Sequence, residues 1–242
     1  MGELATPVDP ARIASHLFGM RFSLIRRVAA LAVAASFFLM SPVMTPATTS
    51  AAFAAGPVRI LAFGDSLTAG YGLAEADAFP NQLERALTAA GYRATIFNAG
   101  VSGDTTADGK ARLNWALADS YDFAIVELGA NDALRGLEPE QAYRNLDFIL
   151  TALAEKKIKV LLAGMYSPRN LGADYAKEFD AIYPRLIAAH PDVALYPFFL
   201  DGVALHPELI QGDGLHPTAK GVAVIVKAIL PAVAKLLGPP GT

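Results

Sequence analysis

The feature that most constrains the fold of this chain is a regular alternation of short apolar runs with longer stretches of helical spacing. The apolar runs cover residues 58–63, 94–97, 123–128, 159–163 and 193–196. The helical stretches cover residues 79–90, 106–118, 139–155, 175–189 and 217–237. Short, uniformly apolar runs are typical of strands buried on both faces, and their alternation with helices indicates a parallel sheet. The sequence therefore predicts an α/β fold, a three-layer α/β/α sandwich around a five-stranded parallel sheet.

Polar and turn-forming residues follow the first three predicted strands. The first strand stops abruptly at Gly64-Asp65-Ser66, the second is followed by residues 98–104, and the third by residues 129–132. In a parallel sheet the carboxyl ends of the strands face one rim, where ligands bind. We therefore expect the Ser66 hydroxyl to lie at the mouth of the sheet, beside the other two loops.

Three histidines remain beyond the N-terminal segment, and each precedes a proline: His190, His206 and His216. At His216 an acid, Asp213, stands three residues earlier, close enough within one turn for its carboxylate to hold one ring nitrogen. Such a contact fixes the tautomer and leaves the other nitrogen facing outward to accept a proton. Asp201 precedes His206 by five residues, which forces no such pairing. We interpret His190 and His206 as surface or helix-entry histidines and His216 as the candidate base.

Four sequence blocks occur in the order found in one family of hydrolases. They are Gly64–Leu67, Gly103, Gly129–Asp132 and Asp213–Pro217. In these blocks the chain resembles the SGNH, or GDSL, hydrolases, and is most similar to the branch of periplasmic acyl-CoA thioesterase I, lysophospholipase and arylesterase. The resemblance implies a flavodoxin-like sheet and a single SGNH hydrolase domain over residues 55–242.

The resemblance also implies a role for individual residues of these blocks. Ser66 would be the nucleophile, His216 the general base and acid, and Asp213 the residue that orients the imidazole. The backbone N–H groups of Ser66 and Gly103, with the side-chain amide of Asn131, would form the oxyanion hole. These roles fit the chemistry, because a serine hydroxyl needs an adjacent base and a developing oxyanion needs donors already in place.

Three other acids near these blocks are interpreted as structural. Asp65 and Asp132 flank positions of the blocks and are expected to brace their loops by accepting hydrogen bonds from backbone N–H groups. Glu127 lies on a predicted buried strand, where a carboxyl group needs an internal partner. We therefore assign none of the three a direct part in the reaction.

Two loops are predicted to shape the acyl pocket, residues 133–139 after the Asn131 block and residues 166–175 after the fourth strand. The candidate substrate-binding residues in these loops are Leu134, Arg135, Tyr166, Pro168 and Leu171. Arg135 has two interpretations, contact with a phosphate or carboxylate of a substrate head group, or a solvated surface charge. The alternative for both loops is that they are ordinary connectors.

The first 54 residues have the pattern of a leader with a secretory signal peptide. Three arginines between residues 21 and 27 precede an uncharged apolar run at 28–40, and a small-x-small cleavage site ends at Ala54. The apolar run has 13 residues, against roughly 20 needed to span a bilayer. A signal peptide is therefore favoured over a transmembrane anchor. Acidic residues before Met20 favour Met20 as the true start, and we expect a periplasmic or secreted protein without stable membrane insertion after cleavage.

Composition argues against several kinds of site and partner. The chain has no cysteine, which excludes disulfides and thiolate metal sites, and its four histidines form no close cluster with carboxylates in the sequence. A net charge of −3 without a long basic run argues against nucleic acid as a partner. We therefore expect no metal, no cofactor and no nucleic acid partner. The resemblance to SGNH hydrolases implies a small-molecule ester or thioester as the substrate, and we expect a monomer.

These features together predict a serine hydrolase of carboxylic esters, with aryl or short-to-medium acyl groups, and of acyl thioesters. The reaction would pass through an acyl-serine intermediate. One alternative with the same chemistry is a lysophospholipase or a carbohydrate deacetylase of the cell envelope. Another is a non-catalytic, flavodoxin-like binding module. The intact set of Ser66, Gly103, Asn131, Asp213 and His216 argues against the binding module, since disuse would not be expected to spare all five.

Overall fold

The computed structural model describes residues 56–240, and the predicted leader with its cleavage site lies outside them. The strands are β1 (Val58–Gly64), β2 (Ala94–Gly100), β3 (Phe123–Glu127), β4 (Lys159–Ala163) and β5 (Ala194–Tyr196). All pairings are parallel, and the strand order is β2-β1-β3-β4-β5. The predicted α/β fold with a five-stranded parallel sheet is confirmed.

Helices cover both faces of this sheet. They are α1 (Ser66–Ala69), α2 (Phe79–Ala89), α3 (Thr106–Ala116), α4 (Ala130–Leu134), α5 (Pro139–Glu155), α6 (Ala173–Asp180), α7 (Ile182–Ala189) and α8 (Ala219–Leu237). Helices α2 and α8 pack against each other in one layer, and α5 contacts α3, α6 and α7 in the other. Within residues 56–240, no helix has the length and apolar character needed to cross a bilayer.

Backbone pairing brings the carboxyl ends of the central strands to one level. Gly64, the last residue of β1, pairs with Gly100 of β2 and with Glu127 of β3, and Glu127 pairs with Ala163 of β4. The loops that follow these residues therefore open on the same rim of the sheet. This is the rim at which parallel sheets bind ligands, and Ser66 lies on it.

The central strands are buried, whereas the two edge strands are mostly half-buried. In β1, Ile60, Leu61 and Phe63 are fully excluded from solvent, and the core continues through Val126 and Leu162. Burying such a side chain contributes roughly 1.5–3 kcal/mol to the stability of the fold. The prediction that every strand is buried on both faces is wrong for β2 and β5. These strands lack a neighbour on one side and are less completely covered.

The single helix predicted over residues 175–189 is two helices, α6 and α7, with a break at Ala181. Pro184 lies in the first turn of α7. Proline has no N–H to donate to the carbonyl of Asp180, and its ring crowds that carbonyl, which disfavours one continuous helix. In the first turn of a new helix the missing N–H is not needed. The break therefore follows from the position of Pro184.

Helix α8 begins at Ala219, two residues later than predicted. Thr218 is its N-cap, because the Thr218 hydroxyl accepts a hydrogen bond from the N–H of Gly221 at 3.2 Å. Pro231 lies inside the helix without ending it. The buried apolar face of α8, which includes Ile229, continues past the proline and offsets the hydrogen bond that it removes.

Two short helices on the functional rim, α1 and α4, are absent from the sequence prediction. Helix α1 begins after Asp65, whose carboxylate accepts from the N–H of Leu67 at 3.0 Å, and ends at Gly70 with a φ of 83°. A helix of one turn has too few residues to show a hydrophobic period. The caps, an acid at the start and a glycine at the end, are the signals that identify α1.

Candidate active site

Ser66 lies where β1 ends and α1 begins. A Cβ on the preceding Gly64 would collide with the Thr68 hydroxyl and the backbone carbonyl of Glu127, so glycine is required there by packing. Asp65 caps α1 and fixes the direction in which the chain leaves the sheet. The side chain of Ser66 is placed at the wall of a groove, where its hydroxyl can meet a substrate.

His216 lies between Ser66 and Asp213. Its Nε2 is 2.8 Å from Oγ of Ser66, and its Nδ1 is 2.6 Å from Oδ2 of Asp213. When Nδ1–H donates a hydrogen bond to the carboxylate, Nε2 carries no proton and presents its lone pair to the serine hydroxyl. The structure thus brings the three predicted residues into one hydrogen-bonded chain.

The Asp213 carboxylate is fixed by its own loop. Oδ1 accepts hydrogen bonds from the backbone N–H of Leu215 at 2.9 Å and of His216 at 3.0 Å. These bonds, together with the imidazole contact, lower the pKa of Asp213 to about 2. Gly214 between them adopts a φ of 75°, which favours glycine. Asp213 is therefore ionised at neutral pH and stays beside the imidazole.

Gln211 connects the loop of His216 to the loop that follows Ser66. Its backbone N–H donates to the carbonyl of His216 at 2.7 Å, and its Nε2 donates to the carbonyls of Tyr71 at 2.8 Å and Pro217 at 2.9 Å. The Tyr71 ring lies against the His216 imidazole, with centroids 4.5 Å apart. Sequence patterns do not point to Gln211, because its partner Tyr71 lies 140 residues away along the chain.

The two predicted oxyanion-hole residues, Gly103 and Asn131, lie with Ser66 at the wall of the same groove. Gly103 has a φ of 89°, in the left-handed region that favours glycine. Its carbonyl accepts a hydrogen bond from Nη2 of Arg135 at 2.7 Å. This bond connects the loop of Gly103 to the loop of Asn131.

The side-chain amide of Asn131 is held by two acceptors. Nδ2 donates to Oδ2 of Asp65 at 3.1 Å and to the backbone carbonyl of Asp104 at 3.0 Å. Both hydrogens of the amide are therefore engaged, and one of these bonds must be exchanged for an N–H to reach an oxyanion. An ionised carboxylate is a stronger acceptor than a neutral carbonyl. The bond to Asp104 is therefore the one that is exchanged more readily.

A partly buried ion pair supports the loop of Gly103. Nε of Arg112 donates to Oδ2 of Asp104 at 2.5 Å, and Nη2 donates to the carbonyl of Gly64 at 2.9 Å. The guanidinium also lies over the ring of Phe63, 4.3 Å from its centroid. Arg112 therefore connects the loop of Gly103 to the end of β1.

Three buried acids lie beneath these loops. Asp132 accepts from the backbone N–H and the hydroxyl of Thr106, both at 2.7 Å, and so braces the start of α3 as expected. Burial raises the pKa of Asp132, and it raises that of Asp65 to about 6. Glu127 accepts from the Thr68 hydroxyl at 2.8 Å. Burial, together with the neighbouring Asp65, raises the pKa of Glu127 well above its ordinary value.

A groove with a volume of about 420 Å³ opens beside Ser66. Three of the five candidate substrate-binding residues, Leu134, Tyr166 and Pro168, line it. Lining residues that sequence reasoning missed are Tyr71, Met165, Phe198, Leu200 and Leu215. Phe198 and Leu200 follow β5 at the same rim of the sheet, so the strand predicted over residues 193–196 was the signal that could have identified them.

Arg135 and Leu171 are not among the residues that line the groove, so a part for either in substrate binding stays a prediction. Nη2 of Arg135 donates to the carbonyl of Gly103, so Arg135 helps to shape that loop. Leu171 lies beside Gly136, within 4.0 Å of where a Cβ on that glycine would stand. The loops of Gly136 and Leu171 therefore approach each other at this point.

The other two histidines of the described chain have different surroundings. His190 ends α7, with its Nε2 2.7 Å from Oδ1 of Asp147. Its interpretation as a surface or helix-entry residue is wrong, because an acid on α5 covers the ring. His206 is exposed and precedes a short 3₁₀ helix, with its Nδ1 3.4 Å from Glu208. Within residues 56–240, no three histidine or acidic side chains are grouped so that they could hold a metal ion.

Comparison with known proteins extends this description. The model of the GDSL-like lipase/acylhydrolase family matches residues 62–224. An arylesterase of Vibrio mimicus is 40% identical over 147 residues, which cover 60% of this chain and 72% of the relative. Thioesterase 1/protease 1/lysophospholipase L1 of Escherichia coli K12 is 39% identical over 151 residues, 62% of this chain and 71% of the relative. The crystal structure of AlinE4, an SGNH-hydrolase family esterase, has a TM-score of 0.64 and 53% identity, covering 76% of this chain and 98% of that one.

The family match includes both ends of the candidate site. It begins within β1, ahead of Ser66, and ends within α8, beyond His216. The relatives are named as esterases and thioesterases, so the resemblance to SGNH hydrolases noted in the sequence is confirmed. The chain belongs to the GDSL-like lipase/acylhydrolase family and is an ester hydrolase.

Proposed function

We propose that this chain hydrolyses carboxylic esters and acyl thioesters through an acyl-enzyme formed on Ser66. One observation carries the proposal, the hydrogen-bonded chain from Asp213 through His216 to Oγ of Ser66, with distances of 2.6 and 2.8 Å. A serine hydroxyl is a weak nucleophile until an adjacent base removes its proton. Nε2 of His216 is placed to act as that base.

In the first step, Oγ of Ser66 attacks the acyl carbonyl carbon while its proton passes to Nε2 of His216. Asp213 stabilises the imidazolium that forms. The carbonyl oxygen becomes an oxyanion, for which the proposed donors are the N–H groups of Ser66 and Gly103 and the amide of Asn131. Losing one such donor costs about 100- to 1,000-fold in rate.

In the second step, the imidazolium donates its proton to the leaving alkoxide, phenoxide or thiolate as the C–O or C–S bond breaks. The acyl group is then bound to Oγ of Ser66. Nε2 of His216 next takes a proton from water, which attacks the acyl-serine. Collapse of this second tetrahedral intermediate releases the carboxylic acid and restores the Ser66 hydroxyl, so water is the sole co-reactant.

The groove supports apolar acyl groups as the preferred substrates. Leu134, Met165 and Leu200 give it aliphatic walls, and the rings of Tyr166 and Phe198 lie 4.8 Å apart at one side. Each substrate methylene that these walls bury stabilises the bound substrate by roughly 0.8 kcal/mol. We propose aryl esters, short-to-medium acyl esters and acyl thioesters as substrates. The names of the Vibrio mimicus and Escherichia coli relatives support this range.

Lysophospholipids are the second candidate substrate. The name of the Escherichia coli relative includes lysophospholipase L1, and the apolar groove suits the single acyl chain of such a lipid. Acetylated glycans fit the groove less well, because a sugar ring needs polar partners on several sides and most of the residues that line the groove are apolar. The contact between His216 and Ser66 disfavours a binding module without catalysis.

We also propose that the protein is exported and acts outside the cytoplasmic membrane. The signal-like pattern of residues 1–54 supports export. One continuous hydrophobic cluster runs through the described strands and helices, which supports a single domain over residues 55–242. A monomer remains our expectation, and the net charge of −3 without a long basic run still argues against nucleic acid as a partner.

Turnover of p-nitrophenyl esters tests the proposed function. Purified protein should release p-nitrophenol from the acetate, butyrate and hexanoate esters at pH 8. The Ser66→Ala variant, of the same fold by circular dichroism, should lose at least about 10⁴-fold in kcat. Turnover by the variant at the wild-type rate would show that Ser66 is not the nucleophile.

A further inference from the structure

Asp65 and Glu127 form a buried pair of carboxyl groups directly behind the nucleophile. Both side chains are fully excluded from solvent. Asp65 precedes Ser66, and Glu127 ends β3 level with Gly64. The two carboxyl groups are direct neighbours that interact with each other. Packing is tight enough that a Cβ on Gly64 would stand 2.7 Å from Oε2 of Glu127.

Two carboxyl groups in such contact hold one proton between them. An ionised carboxylate can only accept hydrogen bonds, so a bond between the two groups requires a proton on one of them. Two neighbouring buried carboxylates also repel each other too strongly for both to be ionised at once. The pair therefore carries one negative charge and one proton near neutral pH.

The surrounding donors decide which carboxyl group keeps the proton. Asp65 accepts from the N–H of Leu67 at 3.0 Å and from Nδ2 of Asn131 at 3.1 Å, both of which favour its ionised form. Glu127 receives the Thr68 hydroxyl on Oε2, whereas its buried Oε1 receives no hydrogen bond from any group of the described structure. The negative charge therefore lies on Asp65 and the proton on Glu127.

We propose that Glu127 is a positioning residue of the oxyanion hole, which it serves by keeping Asp65 ionised as the acceptor that orients the Asn131 amide. If the proton moved to Asp65, the acceptor facing Nδ2 of Asn131 would become a hydroxyl donor. The amide would then lose the charged bond that fixes its plane. This proposal rests on the proposed function, because it assigns a role through the oxyanion donor Asn131.

Other charged and titratable groups face this pair and define its surroundings. His216 lies on the Ser66 side, where the imidazolium that forms during the reaction favours ionised Asp65. Tyr183 lies on the other side, close to both carboxyl groups and to Asp132, and donates its hydroxyl to the carbonyl of Leu128 at 3.0 Å. Arg112 meets the carbonyl of Gly64 but is paired with Asp104. No cation pairs directly with Glu127 in the described structure, so its proton is the available means of neutralising it.

Two substitutions of Glu127 distinguish the effect of losing the hydrogen-bond donor from the effect of changing the side-chain volume. Glu127→Gln keeps an N–H donor for Asp65 and an oxygen acceptor for Thr68, so kcat should stay within about threefold of the wild type. Glu127→Met keeps the volume but removes the donor, so kcat should fall at least tenfold with KM nearly unchanged. The Glu127→Met variant should also need a higher pH for activity, because the pKa of Asp65 rises when its carboxylate loses this donor. Equal loss of kcat in both variants would overturn the proposal.

The pH dependence of stability tests the position of the proton without any activity. A group protonated in the folded state and ionised in the unfolded state makes unfolding more favourable as pH rises. Relative to Glu127→Gln, the wild-type unfolding constant should therefore rise by up to about tenfold per pH unit between about pH 6 and 8. The control Glu84→Gln, which changes a carboxylate bonded to the N–H of Ile96 at 2.6 Å, should show no such slope. If the ratio of the wild-type unfolding constant to that of Glu127→Gln did not change with pH, the proposal would be overturned.

Infrared spectroscopy provides a readout that does not depend on the folding of Glu127→Met. At pH 8 the wild type should show the carbonyl stretch of a protonated carboxyl group, and Glu127→Gln should lack it. A wild-type spectrum without this band would contradict the proposal. Protein that folds but neither turns over esters nor reacts at Ser66 would instead overturn the proposed function, while the infrared and stability results would still locate the proton.

Discussion

Nε2 of His216 lies 2.8 Å from Oγ of Ser66, although the two residues are 150 positions apart in the sequence. Ser66 is set by the end of a central strand, and His216 by a loop that closes on its own Asp213. Gln211 holds the two loops together through bonds to Tyr71 and Pro217. The reactive contact therefore depends on how these loops are held as well as on the three residues themselves.

Replacing Asp213 by asparagine should lower kcat about 10³- to 10⁴-fold, because an amide no longer fixes the productive tautomer of His216. KM should change little, since Asp213 does not face the groove. The matched control is Asp201→Asn, an exposed acid five residues before His206, which should keep wild-type kcat. A kcat within tenfold of the wild type for Asp213→Asn would show that the imidazole is oriented by other means.

The charge of Asp213 should make the stability of the fold depend on pH in the acid range. The pKa of Asp213, lowered to about 2, lies below the roughly 3.9 of an unfolded aspartate. Its ionised form therefore stabilises the fold above about pH 4, and that stabilisation is lost as pH falls towards 2. Thermal unfolding should show the wild type losing stability relative to Asp213→Asn over this window.

Replacing Asn131 by alanine should lower kcat about 100- to 1,000-fold, or roughly 3–4 kcal/mol in transition-state stabilisation. The amide contributes to the oxyanion and not to the acyl chain, so KM for hexanoate esters should stay within a few-fold. Asn114→Ala on the exposed face of α3 is the matched control. Steady-state kinetics with an equal fall in kcat and kcat/KM would support the assignment, whereas a rise in KM alone would contradict it.

Replacing Gln211 by alanine should lower kcat about tenfold, because its Nε2 bonds the Tyr71 and Pro217 carbonyls and so holds the His216 loop against the Ser66 loop. Gln211→Glu should behave similarly, since a carboxylate cannot donate to carbonyl oxygens. The rate at which a fluorophosphonate labels Ser66 should fall in parallel with kcat. Unchanged labelling rates in both variants would mean that the loops keep their distance without this side chain.

Replacing Tyr166 by alanine should shift the preferred acyl chain to greater length. Tyr166 and Phe198 line both the groove at Ser66 and a second cleft of about 230 Å³. Removing the Tyr166 ring should open the groove towards that cleft, which would bury further methylenes at roughly 0.8 kcal/mol each. A series of p-nitrophenyl esters measures the shift, with Trp115→Ala on the exposed face of α3 as control. An unchanged profile would place the acyl chain along a different wall.

The reactive residues were within reach of sequence reasoning because their signals are local. Asp213 and His216 share one turn, and the apolar run before Ser66 ends at the rim of the sheet. Gly103 and Asn131 needed the resemblance to a family, since a single glycine or asparagine carries no pattern of its own. The strand order then brought all of these residues together.

Tertiary contacts are what the sequence could not supply. Gln211 acts across loops far apart in the chain, and Met165 and Phe198 line the groove only because β4 and β5 end beside it. One interpretation of Arg135 was contact with a substrate head group. Its guanidinium donates a hydrogen bond to the carbonyl of Gly103, a contact that no sequence pattern indicates. Side chains on loops have several partners within reach, and the fold decides among them.

Mapping a covalent adduct tests the central claim most directly. Wild-type protein incubated with a fluorophosphonate at pH 8 and digested should carry the phosphonyl group on the peptide that contains Ser66, in parallel with complete loss of esterase activity. The Ser66→Ala variant should remain unlabelled. Inactivation with the adduct on another residue, or full esterase activity after stoichiometric labelling of Ser66, would contradict the account.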